Sequence, residues 1–303
     1  MMLNPALLQV ILPAAILLAA YLLVPHVAAL PASLSGLRDY GPYFAIVLGI
    51  AVSVAFQRGR AVFALLTLAA AQLARQFYLQ PGSSPAAAYS AFAALCVFVP
   101  FNLAALSLVQ ERGIFNIHGV QRMAILLGQI AFCAWILRWG KTGFASAVYA
   151  TVLETQLFAA SPVPQLGLLA IALALAVAFG VWSYRRTTID LGLASAILAF
   201  GLAANSVTSF NAFETFIAAG GLVVTVAVMQ DTFRMAFRDE LTGLPSRRAL
   251  NEQLARLPRR YAIAMLDVDR FKGLNDRFGH DVGDQVLKLV ATRLARVGGG
   301  GKV

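Results

Sequence analysis

Charged side chains are scarce in this sequence: Asp, Glu, Lys and Arg make up 13% of the 303 residues, while 59% are hydrophobic. A water-soluble domain carries roughly 25% charged residues, so most of the chain is excluded from that class and is expected in lipid. Cysteine is almost missing. Cys96 and Cys133 both lie in apolar runs, which excludes a disulfide framework or a metal-ligating spacing and leaves them as small core residues. Acidic residues number 14 against 24 Lys and Arg, a formal charge of +10. These cations are dispersed over loops and a small C-terminal region without interleaved aromatics, which argues against nucleic acid as a partner. No basic stretch precedes the first apolar run, so a retained helix is expected there rather than a cleaved leader.

The scarcity of charge is uneven. Residues 1–230 hold ten Lys/Arg and five Asp/Glu, whereas residues 231–303 hold fourteen and nine. The break predicts a polytopic membrane domain over 1–230, a helix or linker over 231–240, and a cytosolic domain over 241–303. A spanning helix needs about 20 mainly apolar residues. Eight runs come near this: 6–24, 42–56, 61–79, 86–109, 123–139, 165–184, 189–209 and 211–230. A further stretch, 142–160, carries Glu154 and Gln156 and reads as an interfacial segment or loop.

With eight spans and both termini inside, the inner loops hold Arg58, Arg60, Arg112, Arg122, Arg185 and Arg186, and the outer side holds Arg38, Arg75, Arg138 and Lys141. Counting 142–160 as a ninth span gives the same six-to-four ratio, so the polar content of that stretch decides for eight. Arg75 sits within a turn of its helix end and is expected to snorkel, and Asn205 to make an interhelical hydrogen bond. No transporter, haem or retinal signature is present, and the sensed ligand is not legible.

The last apolar run continues without Pro or Gly into VAVMQDTFRMAFRDE (226–240), so one helix is expected to leave the membrane. In DELTGLPSRRAL (239–250) Gly243 breaks that helix and Pro245 suits the first turn of the next. The run YAIAML (261–266) has strand character and ends in Asp267-Val268-Asp269, whose carboxylates, two apart, would share a face. In RFKGLNDRFGHDVGDQVLKLV (270–290) Phe271, Leu274 and Phe278 mark one helix face and Lys272 with Asn275 another. Gly279 closes that helix, and a second starts near Asp281 or Asp284. Acidic groups for a hard cation, a lysine for phosphate and a separate Asn and Asp able to read a base edge form a nucleotide-site inventory.

The series DELTGLPSRR and then DVDRFKGLNDRFGHDVGD resembles the diguanylate cyclase (GGDEF) family over about 65 residues. The fold implied is a multi-pass α-helical membrane domain joined to a truncated α/β palm-like, nucleotidyl-cyclase-like cytosolic domain. By the resemblance Asp267 is catalytic. It holds Mg²⁺ (or Mn²⁺) with the backbone carbonyl of Val268, and Asp269 stands beside them as a further metal candidate. Arg270, Phe271 and Lys272 hold the GTP phosphates, and Asn275 and Asp284 hydrogen-bond the guanine. The implied reaction joins two GTP into cyclic di-GMP with loss of two pyrophosphates, each domain holding one GTP, so a homodimer is required. The implied location is the bacterial inner membrane, multi-pass, with the C-terminal domain cytosolic. Ser246 stands where the family usually has Asn, and Gly299–Lys302 offers no RxxD inhibitory pair. The GG[D/E]EF hairpin itself does not occur before Val303, so this 303-residue chain is expected to be a fragment that makes no cyclic di-GMP by itself. The alternative expectation is a catalytically inactive membrane receptor whose degenerate domain only binds nucleotide or a partner.

Overall fold

The computed structural model describes residues 5–27, 31, 35–152, 161–239, 241–255, 257, 259 and 261–297. The long helices are α1 (Pro5–Val27), α2 (Ser35–Ala55), α3 (Gly59–Tyr78), α4 (Pro85–Leu108) and α5 (Ile117–Arg138), then, after the six-residue α6 (Gly143–Val148), α7 (Gln165–Arg185), α8 (Thr188–Asn205) and α9 (Phe210–Phe237). Three shorter ones follow: α10 (Arg247–Leu254), α11 (Phe271–Phe278) and α12 (His280–Leu294). The chain divides into two compact units, Met1–Gln230 and Asp231–Val303.

Each of the eight apolar runs coincides with one long helix. Among the described residues seven of these are long and apolar enough to cross a membrane, and α2 carries a shorter apolar stretch, Tyr40–Ala55. The 142–160 stretch contributes α6 and then leaves helix at Tyr149; residues 153–160 lie outside the described residues. In the first unit α8 and α9 are buried over most of their length and α5 over almost none. The core gathers Leu65, Leu103, Ile197, Phe200, Phe213 and Val223, all fully enclosed. Small residues set the closest approaches. A Cβ on Gly192 of α8 would lie 2.7 Å from Ala227 Cβ of α9, and one on Gly167 of α7 would lie 2.8 Å from Cys96 Cβ of α4.

Two of the arginines expected on the inner loops, Arg60 and Arg185, are tied to helix ends. Arg60 at the start of α3 donates to Asp190 of α8 at 2.6 Å, and its Nε lies 3.7 Å from Glu111. Thr187 caps α8 by accepting from the Asp190 amide and donates its own hydroxyl to the Asp190 carboxylate. Arg185 donates to the carbonyls of Ser107, Leu108 and Val109, which the end of α4 leaves without intrahelical partners. At the opposite end Arg75 does not snorkel outward. It is buried, with its guanidinium 5.8 Å from the Phe213 ring centroid and a hydrogen bond back to the Leu79 carbonyl. Asn205 accepts from Ser161 at 2.9 Å, so its partner lies on the segment before α7 rather than on another helix. Cys96 is a core residue, but Cys133 is only half-buried, on the inner side of α5.

In the second unit the expected strand does not form. Tyr261–Leu266 has no regular structure, and Met265 and Leu266 are 94% and 71% exposed. A strand satisfies its backbone only through a neighbour, and among the described residues none pairs with it; the one β-bridge joins Arg238 and Pro245. Among the described residues the second unit therefore shows helices and an irregular apolar run and no sheet, and the α/β palm-like fold implied by the resemblance is not seen. Pro245 also lies before its helix rather than in it. It sits in the bridge, where its missing N–H costs nothing, and Ser246 becomes the N-cap position of α10.

Candidate nucleotide site

Gly243, at φ +70°, turns the DELTG segment back on itself, a conformation glycine adopts without strain. The Gly243 amide donates to the Asp239 carbonyl and the Asp239 amide to the Leu244 carbonyl, both at 2.9 Å. The Asp239 carboxylate accepts from the Thr242 amide at 2.8 Å and from its hydroxyl at 2.6 Å. These bonds hold the exposed Asp239 carboxyl below the usual carboxylate range, the Thr242 hydroxyl contributing most. Ser246 donates its hydroxyl to the Ala236 carbonyl and its amide to the Phe237 carbonyl. Committed there, it makes no side-chain cap on α10. Arg248 lies over the Phe237 ring, 5.2 Å from its centroid, and so seats α10 on the end of α9.

Beyond the extended run, the Val268 amide donates to the Asp267 carboxylate at 2.9 Å. Arg270 takes a left-handed conformation, φ 54°, at the N-cap of α11. That turn sets Asp267, Asp269, Arg270 and Lys272 on the exposed surface and leaves Phe271 half-buried. The amides that open α11 face the same turn, where the positive end of a helix favours anions. Among the described residues no three His, Cys, Asp or Glu side chains form a metal-ligand group. The donors at 267–269 are two carboxylates and a carbonyl, all oxygen, which suits Mg²⁺ when phosphate and water complete the shell.

Asn275 of α11 and Gly283 of α12 meet across the turn at Gly279, φ +84°. The Asn275 side chain lies against the backbone of Gly283, where any Cβ would collide with its Oδ1. That oxygen is buried and has no protein hydrogen-bond partner. Asp284, one residue along, is exposed. A buried carbonyl oxygen without a protein partner is an acceptor suited to an N–H group of a purine edge.

The model of the diguanylate cyclase GGDEF domain matches residues 236–302. Residues 236–302 belong to the GGDEF domain family. The diguanylate cyclase DgcP of Pseudomonas aeruginosa is 44% identical over 75 residues, 22% of this chain and 11% of that protein. The Escherichia coli diguanylate cyclase DgcZ is 50% identical over 96 residues, 28% of this chain and 31% of its own length. The cyclic di-GMP phosphodiesterase NbdA of P. aeruginosa is 45% identical over 71 residues, 21% of this chain and 9% of that protein. The chain thus spans less than a third of each of these relatives. No solved structure matches the chain.

Within the GGDEF segment the structure sets Asn275 against Gly283, the residue before Asp284, and the Val268 amide on the Asp267 carboxylate, with Asp269, Arg270 and Lys272 exposed. Two contributors were not singled out from the sequence. Gly283 makes room for Asn275, and only the fold reveals that, because the crowding atom belongs to a different helix. Thr242 anchors Asp239, and here the signal existed: an Asp with a Thr three residues later before a Gly reads as an Asx-type turn.

Proposed function

We propose that this chain joins a multi-pass sensor unit, residues 1–230, through a linker at 231–240 to the GTP-holding part of a diguanylate cyclase domain, residues 241–303. It would lie in the bacterial inner membrane with the GGDEF segment in the cytosol, acting in cyclic di-GMP signalling. The GGDEF match and relatives named as cyclases support the signalling role, and seven long apolar helices support the bilayer setting. The observation that carries the site is the unpartnered Asn275 Oδ1 held over Gly283, the residue before Asp284 in the chain.

In this reading Asn275 and Asp284 orient guanine and Arg270, Phe271 and Lys272 cradle the triphosphate. Asp267 and the Val268 carbonyl would hold Mg²⁺, with Asp269 beside them, and the metal when bound neutralises charge on the phosphates. Two such domains, in a homodimer, must face each other for each GTP to meet its partner. The test is equilibrium binding of a fluorescent GTP analogue to the purified chain in detergent, with and without Mg²⁺. Metal-enhanced binding competed by GTP and not by ATP is expected; indifference to both metal and base would remove the reading.

A second reading has one observation in its favour: the like segment in NbdA belongs to a protein named for phosphodiesterase activity. Here the segment binds nucleotide or a partner without catalysis. Joining residues 1–303 to a GG[D/E]EF hairpin separates the two, since the first reading expects cyclic di-GMP from GTP and the second expects none.

A further inference from the structure

Helices α3, α4 and α5 line a half-open cavity of about 320 Å³. Its lining runs from Thr67 to Tyr78, from Ala91 to Asn102 and from Leu126 to Leu137, eleven residue steps on each helix, or about 16 Å. Leu95, Phe98, Val99, Ile130 and Cys133 line its middle, and no charged side chain lines it anywhere. Asn102 and Gln129 also line it, and they bond each other reciprocally: Asn102 Nδ2 to Gln129 Oε1 at 2.7 Å, and Gln129 Nε2 to Asn102 Oδ1 at 2.9 Å. Each amide has two N–H groups and two acceptor lone pairs, so the pair retains a donor and an acceptor on each side. Gln129 lies nine residues from Arg138 and twelve from Ile117, so it is at least about 13 Å from either end of α5. Helix α5, the cavity's outer wall, buries only Gly119 and Ile136.

We propose that this slot is the ligand site of the sensor unit and that it takes an uncharged lipophile, a single apolar chain ending in one hydroxyl or carbonyl. The inference rests on the bilayer setting proposed above. An ionised head has no counter-charge in the slot and would be desolvated there at large cost. A phospholipid tail reaching this depth ends in a methyl and leaves the spare amide groups unmet. A neutral oxygen on the ligand meets them, while its chain fills the apolar length.

The probe is 1-dodecanol carrying a mid-chain diazirine, photolysed with the full chain in phosphatidylcholine nanodiscs, with adducts located by mass spectrometry. Adducts are expected on the slot-lining residues of α3, α4 and α5. Unlabelled 1-dodecanol should suppress them roughly two- to tenfold better than dodecane, the span one neutral hydrogen bond supplies, and dodecanoate at pH 9 should not suppress them. The double variant Asn102→Leu/Gln129→Leu replaces both partners with apolar groups of similar size, which leaves folding nearly unaffected. It should keep the adducts and lose the preference for alcohol over alkane. Adducts scattered over the lipid-facing residues, or equal competition by alcohol and alkane in the unaltered chain, overturn the proposal. Carbonate extraction of the chain from native membranes is run alongside. Release of the chain would defeat the bilayer reading, while adduct location still decides the slot.

Discussion

The guanidinium of Arg60 lies 2.6 Å from the carboxylate of Asp190, with both side chains shut away from solvent. They are 130 positions apart in the chain, and they fix the start of α3 to the start of α8. Two enclosed charges stabilise the fold mainly by each preventing the other from being buried alone. Asp190→Leu should therefore cost about 3–5 kcal/mol, read as a large fall in melting temperature in detergent. Arg60→Met/Asp190→Leu should recover part of the loss and not all of it, because both Glu111 carboxylate oxygens are buried and lose Arg60 as their neighbour. Equal losses in the single and double variants would show that the pair matters only as shape.

The Asp239–Thr242 contact is a pH-dependent lock on the loop that precedes α10. Because the folded-state pKa of Asp239 is depressed, its stabilising effect is complete above the ordinary carboxylate range, near 3.9, and is lost as pH falls through the folded value. Thr242→Val removes the largest cause, so NMR titration of ¹³C-labelled Asp in the full chain should show the Asp239 midpoint moving up toward that range. An unmoved midpoint would assign the depression to something other than Thr242.

Gly283→Ala separates stability from recognition. Alanine favours a helix interior over glycine by about 1 kcal/mol, yet its Cβ would occupy the position of Asn275 Oδ1. The Asn275 side chain can rotate away, so α12 should hold or gain stability while affinity for the GTP analogue falls several-fold. Unchanged affinity in a well-folded variant would dissociate Asn275 from the nucleotide.

Asp267→Ala and Asn275→Ala should fail differently. The first should remove the enhancement of GTP binding by Mg²⁺ and leave the weak metal-free affinity intact. The second should weaken binding with and without metal, by roughly tenfold for a lost pair of hydrogen bonds. Identical Mg²⁺ titrations for the two variants would merge the roles assigned to them.

Much of this was readable from local pattern. The apolar runs became α1–α5 and α7–α9 because run length and composition are properties of consecutive residues, and Phe271, Leu274 and Phe278 with Gly279 wrote α11 and its end in four positions. What failed depended on distant partners. The YAIAML run has strand composition, but a strand exists only where another backbone lies beside it. Arg75 was read from its place near a helix end, and its burial against Phe213 of α9 was decided by a segment more than a hundred residues on. The Asn102–Gln129 pair was equally hidden, since nothing in either helix says which way it is rotated toward the other. The motif at 267–284 was legible as a run of consecutive residues, but the contact of Asn275 with Gly283 was not.

The exposed Tyr261–Leu266 run carries a cost at the bench. Six consecutive apolar residues without proline, whose backbone groups find no strand partner among the described residues, are the kind of segment that stacks with copies of itself into intermolecular sheet. Arg259 and Arg260 on one side and Asp267 on the other are the charges that flank it, the positions where gatekeeper residues slow such stacking. Any proteolytic or recombinant preparation that releases this region at high concentration puts that six-residue stretch in contact with itself, so turbidity and inclusion bodies are the first behaviour such material will show.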